Sequence, residues 1–347
     1  MKKINIALCS FGMSGLVFHA PFLNVHPGFN LYGVWERTKK AAQEKYPGIK
    51  SFSTLEEMLA DNAIELVIVN TPSVTHHEFA KKALLAGKHI IVEKPFTTTT
   101  KQSKELIDLA KEENKKISVY QNRRYDSDYR TVKKILEEGW LGKIVDAEIH
   151  YDRFSAALSS KEHKEIPGPG VGCLYDLGSH LIDQALQLFG MPVALFADIT
   201  INRSGSKVDD YFDLKLFYPS HRMTLKSSYF VRERVPAYIF HGMNGSFIKA
   251  KTDVQEINLQ AGKIPGGNDW GIEPDSEKGL LHTEKDGVVI RKYVDSLRGN
   301  YAEYYDGIYN AITNNSEVPV TAEDGMRVIK IIEAAFQSNK ERRAIEL

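Results

Sequence analysis

The first 120 residues alternate short β-type runs with helix-type patterns, and this alternation narrows the possible folds more than any other feature. Ile4 to Cys9, Leu31 to Trp35, Leu66 to Asn70, His89 to Val92 and Ile117 to Tyr120 are strand-like. Ser53 followed by Glu56 is a capping-box pattern opening a helix over Thr54 to Leu59. Gly87 sits where a helix over about His76 to Ala86 needs a left-handed cap. Strands alternating with helices form βαβ units, hence a parallel sheet covered on both faces.

After about residue 122 the rhythm changes. Helices are expected over about Asp128 to Glu138 and Cys173 to Phe189, with a long strand from Lys143 to Phe154 between them. Ala194 to Asn202, Tyr211 to Tyr218, Met223 to Val231, Ala237 to His241 and Ser246 to Ala250 then alternate with little helix between them, as in a mostly antiparallel sheet. Ile257 to His282, rich in Gly, Pro and Asp, reads as a long loop, and two helices close the chain. The expected fold class is α/β: an N-terminal doubly wound Rossmann domain over 1–122, and a C-terminal α+β domain with a large, mostly antiparallel open sheet over 123–347.

Composition bounds the rest. With 45 basic and 45 acidic side chains in 347 residues, the chain does not suit a general nucleic-acid binder or a polybasic membrane module. The apolar run after Lys2-Lys3 breaks at Ser10, and no stretch approaches the roughly 20 apolar residues of a membrane span. Two cysteines, Cys9 and Cys173, are too few for a disulfide framework or a Cys-rich zinc site. A soluble, cytoplasmic chain of two domains with no metal is the expectation, and composition by itself says nothing about activity.

Ser10-Phe11-Gly12-Met13-Ser14-Gly15 follows the first strand and reads as a GxGxxG dinucleotide fingerprint with serine in the first glycine's place. The middle glycine admits a pyrophosphate to the backbone, the last permits close helix packing, and the helix N-terminus supplies amide donors. Glu36, 21 residues beyond Gly15, stands where an acid binds the adenosine ribose hydroxyls. Glu36 opposes a 2′-phosphate whereas Arg37 can pair with one, so the cofactor is NAD or NADP, with NAD slightly favoured.

Two further segments carry chemistry. Glu93-Lys94-Pro95 closes the strand from His89, where open α/β sheets place ligands. Lys94 there either polarises a substrate oxygen or makes a surface salt bridge beside a turn proline. In Gly170-Val171-Gly172-Cys173-Leu174-Tyr175-Asp176-Leu177-Gly178-Ser179-His180, Asp176 and His180 share one helical face, with Asp183 a turn further. A carboxylate beside an imidazole suits a general acid/base, against the plainer reading of a structural helix histidine. His76 and His77 are adjacent and point in different directions on a helix, which disfavours a metal pair.

These motifs in this order, with His19-Ala20-Pro21, Thr71-Pro72, His76 and Asn122-Arg123-Arg124, resemble the Gfo/Idh/MocA oxidoreductases over essentially the whole chain. Phe18-His19-Ala20-Pro21, Tyr175 to His180 and Pro319 to Glu323 look closest to the scyllo-inositol dehydrogenase branch. The resemblance implies Lys94, Asp176 and His180 as the catalytic set, and Thr71, Pro72, His76, Glu93 and Gln121 near the nicotinamide half of the cofactor. One departure is Glu36, where that NADP-using branch carries a small polar residue. The implied reaction is reversible oxidation of a secondary alcohol, with His180 taking the hydroxyl proton while hydride leaves for nicotinamide.

For a polyol or sugar substrate, Arg123, Tyr125 and Trp270 are candidate contacts besides Lys94, Asp176 and His180. Trp270 reads equally as the anchor of a small satellite core. Tyr151, Asp152 and Arg153 read first as strand alternation, and His163 and His221 as solvated surface. The open face of the second sheet is expected to alternate Phe, Tyr, Leu and Ile and to mediate a homodimer or homotetramer. Two other functions compete: an NAD-dependent redox glycosidase of the same fold, and a non-enzymatic dinucleotide-binding regulator, to which a matched acid/base pair would be of no use.

Overall fold

A computed structural model of the chain describes residues 2–36 and 40–347, the side chain of His163 excepted. Six parallel strands form the first sheet: β1 (Ile4–Leu8), β2 (Phe29–Trp35), β3 (Lys50–Phe52), β4 (Leu66–Val69), β5 (His89–Glu93) and β6 (Ile117–Tyr120). Their order, β3-β2-β1-β4-β5-β6, is that of a doubly wound dinucleotide fold. β4 is buried at every position because helices cover both faces, which is why it reads as an unbroken apolar run. The short β3 carries too little pattern to stand out in the sequence. Thr54, one residue later than expected, caps the helix Leu55–Ala60 by accepting the Glu57 amide at 3.0 Å, while Glu57 reaches back to the Ser53 amide at 3.0 Å.

The second sheet has nine strands: β7 (Ile144–His150), β8 (Ala194–Thr200), β9 (Tyr211–Phe217), β10 (Arg222–Ser228), β11 (Tyr238–Gly242), β12 (Gly245–Lys249), β13 (Gly279–Lys285), β14 (Val288–Val294) and β15 (Ile345–Glu346). All pairs are antiparallel except β7 with β10. Alternate residues such as Phe212, Leu214, Leu216, Met223, Leu225 and Phe240 enter one core with Val132, Ile182 and Ile332 from the helices Ser127–Glu137, Ser179–Phe189 and Ala322–Glu341. The expected loop from Ile257 to His282 instead contains most of a helix, Val254–Gln260, and the start of β13.

The chain divides into two compact units. The first takes residues 1–122 together with Gln255–Trp270 and Asn300–Met326, and the second takes the remainder, so the stretch 123–347 is interrupted twice. Packing explains the returns. Tyr301, Tyr304 and Tyr305 are fully buried, Phe22 stacks on Tyr305 at 5.5 Å, and Ser118 donates its hydroxyl to the Val320 carbonyl at 2.7 Å.

The face of the second sheet away from its core is more polar than expected. One cross-strand row reads Tyr293, Leu280, Ile248, Ile239, Glu148, Thr224, Lys215, Phe196. The next reads Arg291, His282, Ser246, His241, Asp146, Arg222, Phe217, Ala194. Apolar side chains thus gather on β11 to β14, while charge occupies the middle strands. Phe217 lies 5.1 Å beneath the Arg222 guanidinium and Tyr211 5.6 Å beneath the Lys226 ammonium. His221 is not solvated: it is buried, with its ring stacked on Tyr218 at 4.5 Å.

Lys249 is wholly buried in this unit and donates to Glu273 at 2.6 Å, the Glu277 carbonyl at 2.7 Å and the Ser296 hydroxyl at 3.0 Å. Removing one partner strands the other charge in the interior, so Lys249→Ala is expected to lose about 3–5 kcal/mol of stability in denaturant titrations.

Candidate active site

In the first unit, the turn after β1 is held by one side chain. Asn70, at the end of β4, accepts the Ser10 amide at 3.0 Å and donates to the Ser10 carbonyl at 2.9 Å. The Ser10 hydroxyl returns a bond to the Asn70 carbonyl at 3.2 Å. Ser10 is not among the described residues with positive φ, so serine is no obstacle in the first glycine's place. Sequence reasoning assigned no role to Asn70.

The two glycines divide their roles. A Cβ on Gly15 would lie 2.5 Å from the Ser10 carbonyl oxygen, so packing demands glycine there. A Cβ on Gly12 meets nothing closer than the Ser10 hydroxyl at 3.7 Å, so the protein's own atoms leave that backbone open to a ligand. The helical segment that follows opens with a π turn over Ser14–His19, a local register frequent at functional sites, before continuing as Ala20–Val25. Phe11 meets Tyr46 edge to face at 6.1 Å, and Met13 is about half exposed.

Glu36 directly follows β2 and is buried, with its carboxylate accepting the Ala42 amide at 3.3 Å. Burial raises its pKa against the opposing pull of the Ala42 and Ala41 amides. Arg37 lies outside the described residues.

At the carboxyl end of β5, Glu93 gathers three donors. Its carboxylate accepts from Ser14 of the glycine turn, from the Lys94 amide at 3.1 Å, and from His19 at 3.1 Å. Burial drives the Glu93 pKa upward, but the bonds from His19 and Ser14 and the nearby Lys94 charge together hold it below the ordinary carboxylate range. His19, fully buried, contacts the Tyr305 hydroxyl with its other nitrogen at 2.9 Å. The ties from Glu93 to Ser14 and His19 were not foreseen, although His19 belonged to a motif already singled out.

Lys94 is half-buried and precedes a cis peptide to Pro95. His76 is buried with its ring nitrogens 2.9 Å from the carbonyl oxygens of Pro95 and Thr71, so it straps the loop after β4 to the loop after β5. Burial lowers its pKa. Thr71 and Thr75 share a hydroxyl contact of 2.7 Å, while Pro72 is exposed. Gln121, at the end of β6, is buried, and its side-chain oxygen has no hydrogen-bond partner among the described residues. An orphaned acceptor at the carboxyl end of the same sheet as the open glycine turn fits a bound dinucleotide.

In the second unit, the helix carrying Asp176 and His180 is not uniform: a π turn, Leu174–Gly178, precedes the α-helix Ser179–Phe189. Its start is built by Gly172 and Asp209. The Leu174 amide donates to the Asp209 carboxylate at 2.8 Å and the Cys173 amide to the Asp209 carbonyl at 2.9 Å. Gly172 has φ +105°, and a Cβ there would fall 1.9 Å from an Asp209 carboxylate oxygen. From Cys173 to His180, Asp176 alone is not buried, and its carboxylate pairs with the Lys164 ammonium at 3.4 Å. Arg124 grips Asp183 through two bonds of 2.6 and 2.8 Å, which commits Asp183 to holding the helix. Cys173 is buried, and burial pushes its thiol up to about 12.

The substrate candidates differ in placement. Arg123 is buried and paired with Asp253, with Asp126 at 3.4 Å, and with the Tyr151 hydroxyl at 3.2 Å. Tyr125 is half-buried at the end of the turn Asn122–Tyr125. Trp270, in the first unit, is buried against Phe22 at 6.2 Å and donates its indole N–H to Gln255 at 3.2 Å, as in the satellite-core reading. Arg153 lies over the Tyr229 ring at 4.0 Å.

Residues 4–121 match the NAD-binding Rossmann fold of the Gfo/Idh/MocA oxidoreductase family, and residues 133–347 match its C-terminal alpha/beta domain. The chain belongs to that family. It is 38% identical over 347 residues to the Bacillus subtilis protein named scyllo-inositol 2-dehydrogenase (NADP(+)) IolW, covering 100% of this chain and 97% of that one. It is 36% identical to the Escherichia coli oxidoreductase YdgJ, over 99% of this chain and 98% of that one. A crystal structure from Bacteroides fragilis superimposes with a TM-score of 0.91 at 45% identity, covering both chains fully. As a family member the chain is an oxidoreductase with an NAD-binding Rossmann domain, and no helix among its described residues is long and apolar enough to cross a membrane.

Burial pushes the Asp209 carboxyl up to about 6, above its ordinary 3.8, so the folded protein binds more protons than the unfolded chain between those values. Stability from this group is therefore lost as pH rises from about 4 to about 6. Asp209→Asn is expected to remove that component, so the difference in melting temperature, variant minus wild type, should grow across this interval.

Proposed function

We propose that the protein is an NAD(P)-dependent dehydrogenase that moves a hydride between nicotinamide and a secondary alcohol or ketone of an inositol, sugar or sugar derivative. The observation that carries this reading is the start of the Asp176/His180 helix. Gly172 and Asp209 fix it, and Asp176 stays accessible within an otherwise buried run. The names of relatives such as the scyllo-inositol 2-dehydrogenase support the substrate class.

In this reading Asp176 orients His180, which takes the hydroxyl proton, and Lys94 holds the substrate oxygen and its developing charge. Glu93, fixed by Ser14 and His19, sets the backbone from which Lys94 projects. Gly12, Ser14 and Gln121 hold the cofactor, which when bound supplies or accepts the hydride. Thr71, Pro72 and His76 shape its nicotinamide end. NAD is favoured over NADP because a buried carboxylate at Glu36 opposes a 2′-phosphate. Two buried free thiols, Cys9 and Cys173, suit a reducing cytoplasm.

A spectrophotometric screen of inositols, aldoses and keto-sugars with both cofactors tests the assignment. At least one polyol or sugar is expected to change nicotinamide absorbance, more efficiently with NAD. On that substrate, His180→Ala should lose about a hundredfold or more in kcat. Lys94→Ala should lower kcat more than cofactor affinity, and near-normal turnover in both variants would remove the catalytic set.

We also propose a homodimer or homotetramer through the open face of the second sheet. Its apolar side chains on β11 to β14 and the adjoining Asp146, Arg222 and His241 offer a patch on which two copies can meet face to face. Light scattering at micromolar concentration should give a multiple of the chain mass, and a monomeric mass would exclude it.

A further inference from the structure

A cleft of about 640 Å³ in the first unit opens at the amino-terminal end of β1, and one of its wall residues, Tyr46, also meets Phe11 of the dinucleotide turn edge to face. It borders Lys3, just before β1, and Phe29 to Leu31 at the start of β2, whereas Gly12 to Gly15 follow the other end of β1. Other walls come from the end of the helix Ala20–Val25, the turn Lys45–Ile49, and Leu259 to Ile264 of the returning segment.

Two properties of the lining set what the cleft can hold. It carries three ammonium groups, from Lys3, Lys45 and Lys263, and no acidic side chain. Lys3 and Lys45 make no side-chain hydrogen bond or ion pair among the described residues, while Lys263 donates to Asn258 at 2.9 Å. Uncompensated like charges around a concavity favour an anion. Between them lie apolar surfaces: Phe29, Ile49 and Leu259 are buried, and Ile264 is 73% exposed. An exposed isoleucine beside a cationic rim is apolar area that a ligand can cover. The volume falls within the range of small-molecule sites.

We propose that this cleft is a second small-molecule site, which takes an organic anion with an apolar body, such as a medium-chain carboxylate. The carboxylate meets the lysines, and the hydrocarbon covers Ile264 and the buried floor. The site lies at the opposite end of β1 from Gly12 to Gly15, touching the cofactor turn through the Tyr46–Phe11 contact, and does not depend on the catalytic assignments above.

Decanoate is the probe, titrated calorimetrically into the full chain with and without saturating NAD or NADP. One saturable site is expected, retained when the dinucleotide is present. Its affinity should fall at least tenfold in the Lys45→Glu/Lys263→Glu double variant and in Ile264→Glu, all three being exposed positions. Decyltrimethylammonium, with the same tail and opposite charge, should not bind. Absence of saturable binding, displacement by dinucleotide, equal binding of the cation, or unchanged affinity in both variants would overturn the proposal.

Discussion

Asn70 joins β4 to the residue at which the chain leaves β1, and the first unit's chemistry hangs on that junction. In the strand order β3-β2-β1-β4-β5-β6 the connections run outward in opposite directions from β1 and β4, opening a crevice at their carboxyl ends. Backbone groups at such a split lose their sheet partners and need others. One carboxamide satisfies both the amide and the carbonyl of Ser10. The turn to Gly15 is therefore held without left-handed backbone at Ser10, and Gly12 is left clear.

A second level of organisation comes from carboxylates that are used up holding structure. Glu93 binds Ser14, His19 and the Lys94 amide, Asp209 binds the amide that starts the Asp176 helix, and Asp183 binds Arg124. Each fixes a backbone segment or helix from which a proposed functional group projects, and each is largely shielded from water. Directional bonds in a shielded setting hold geometry better than exposed pairs do. The contrast with Asp176 is informative: its 3.4 Å pair with Lys164 is partly solvated, so the carboxylate remains open to exchange partners.

What could be read from the sequence followed from local pattern. Buried parallel strands announce themselves as apolar runs, and the spacing of Ser10 to Gly15 against Glu36 needs only a strand, a turn and a helix. The bonds from Asn70 to Ser10, 60 residues apart, and from Glu93 to Ser14, 79 apart, have no local signature. Nor has the use of Asp209 as a helix cap from across the unit. β14 was hidden because its exposed residues Val288, Val289 and Tyr293 break the in-out alternation of a half-buried strand. The helix Val254–Gln260 was obscured by the Gly- and Pro-rich stretch that follows it. His221 looked like surface because its shelter is Tyr218, which only a tight turn brings into contact, and Phe189, from a helix 32 residues earlier.

The two returns of the chain to the first unit bear on how the protein is made. Most of the dinucleotide fold emerges from the ribosome early, yet Val119 and Phe96 pack around Gly325, and Ser118 bonds the Val320 carbonyl. Domains tend to fold as units during synthesis, amino-terminal first. Here the earliest-made sheet must remain incompletely covered until nearly the whole polypeptide has been translated. Vectorial folding is thus built out of the design: the nascent amino-terminal half carries an unfinished apolar flank through most of elongation.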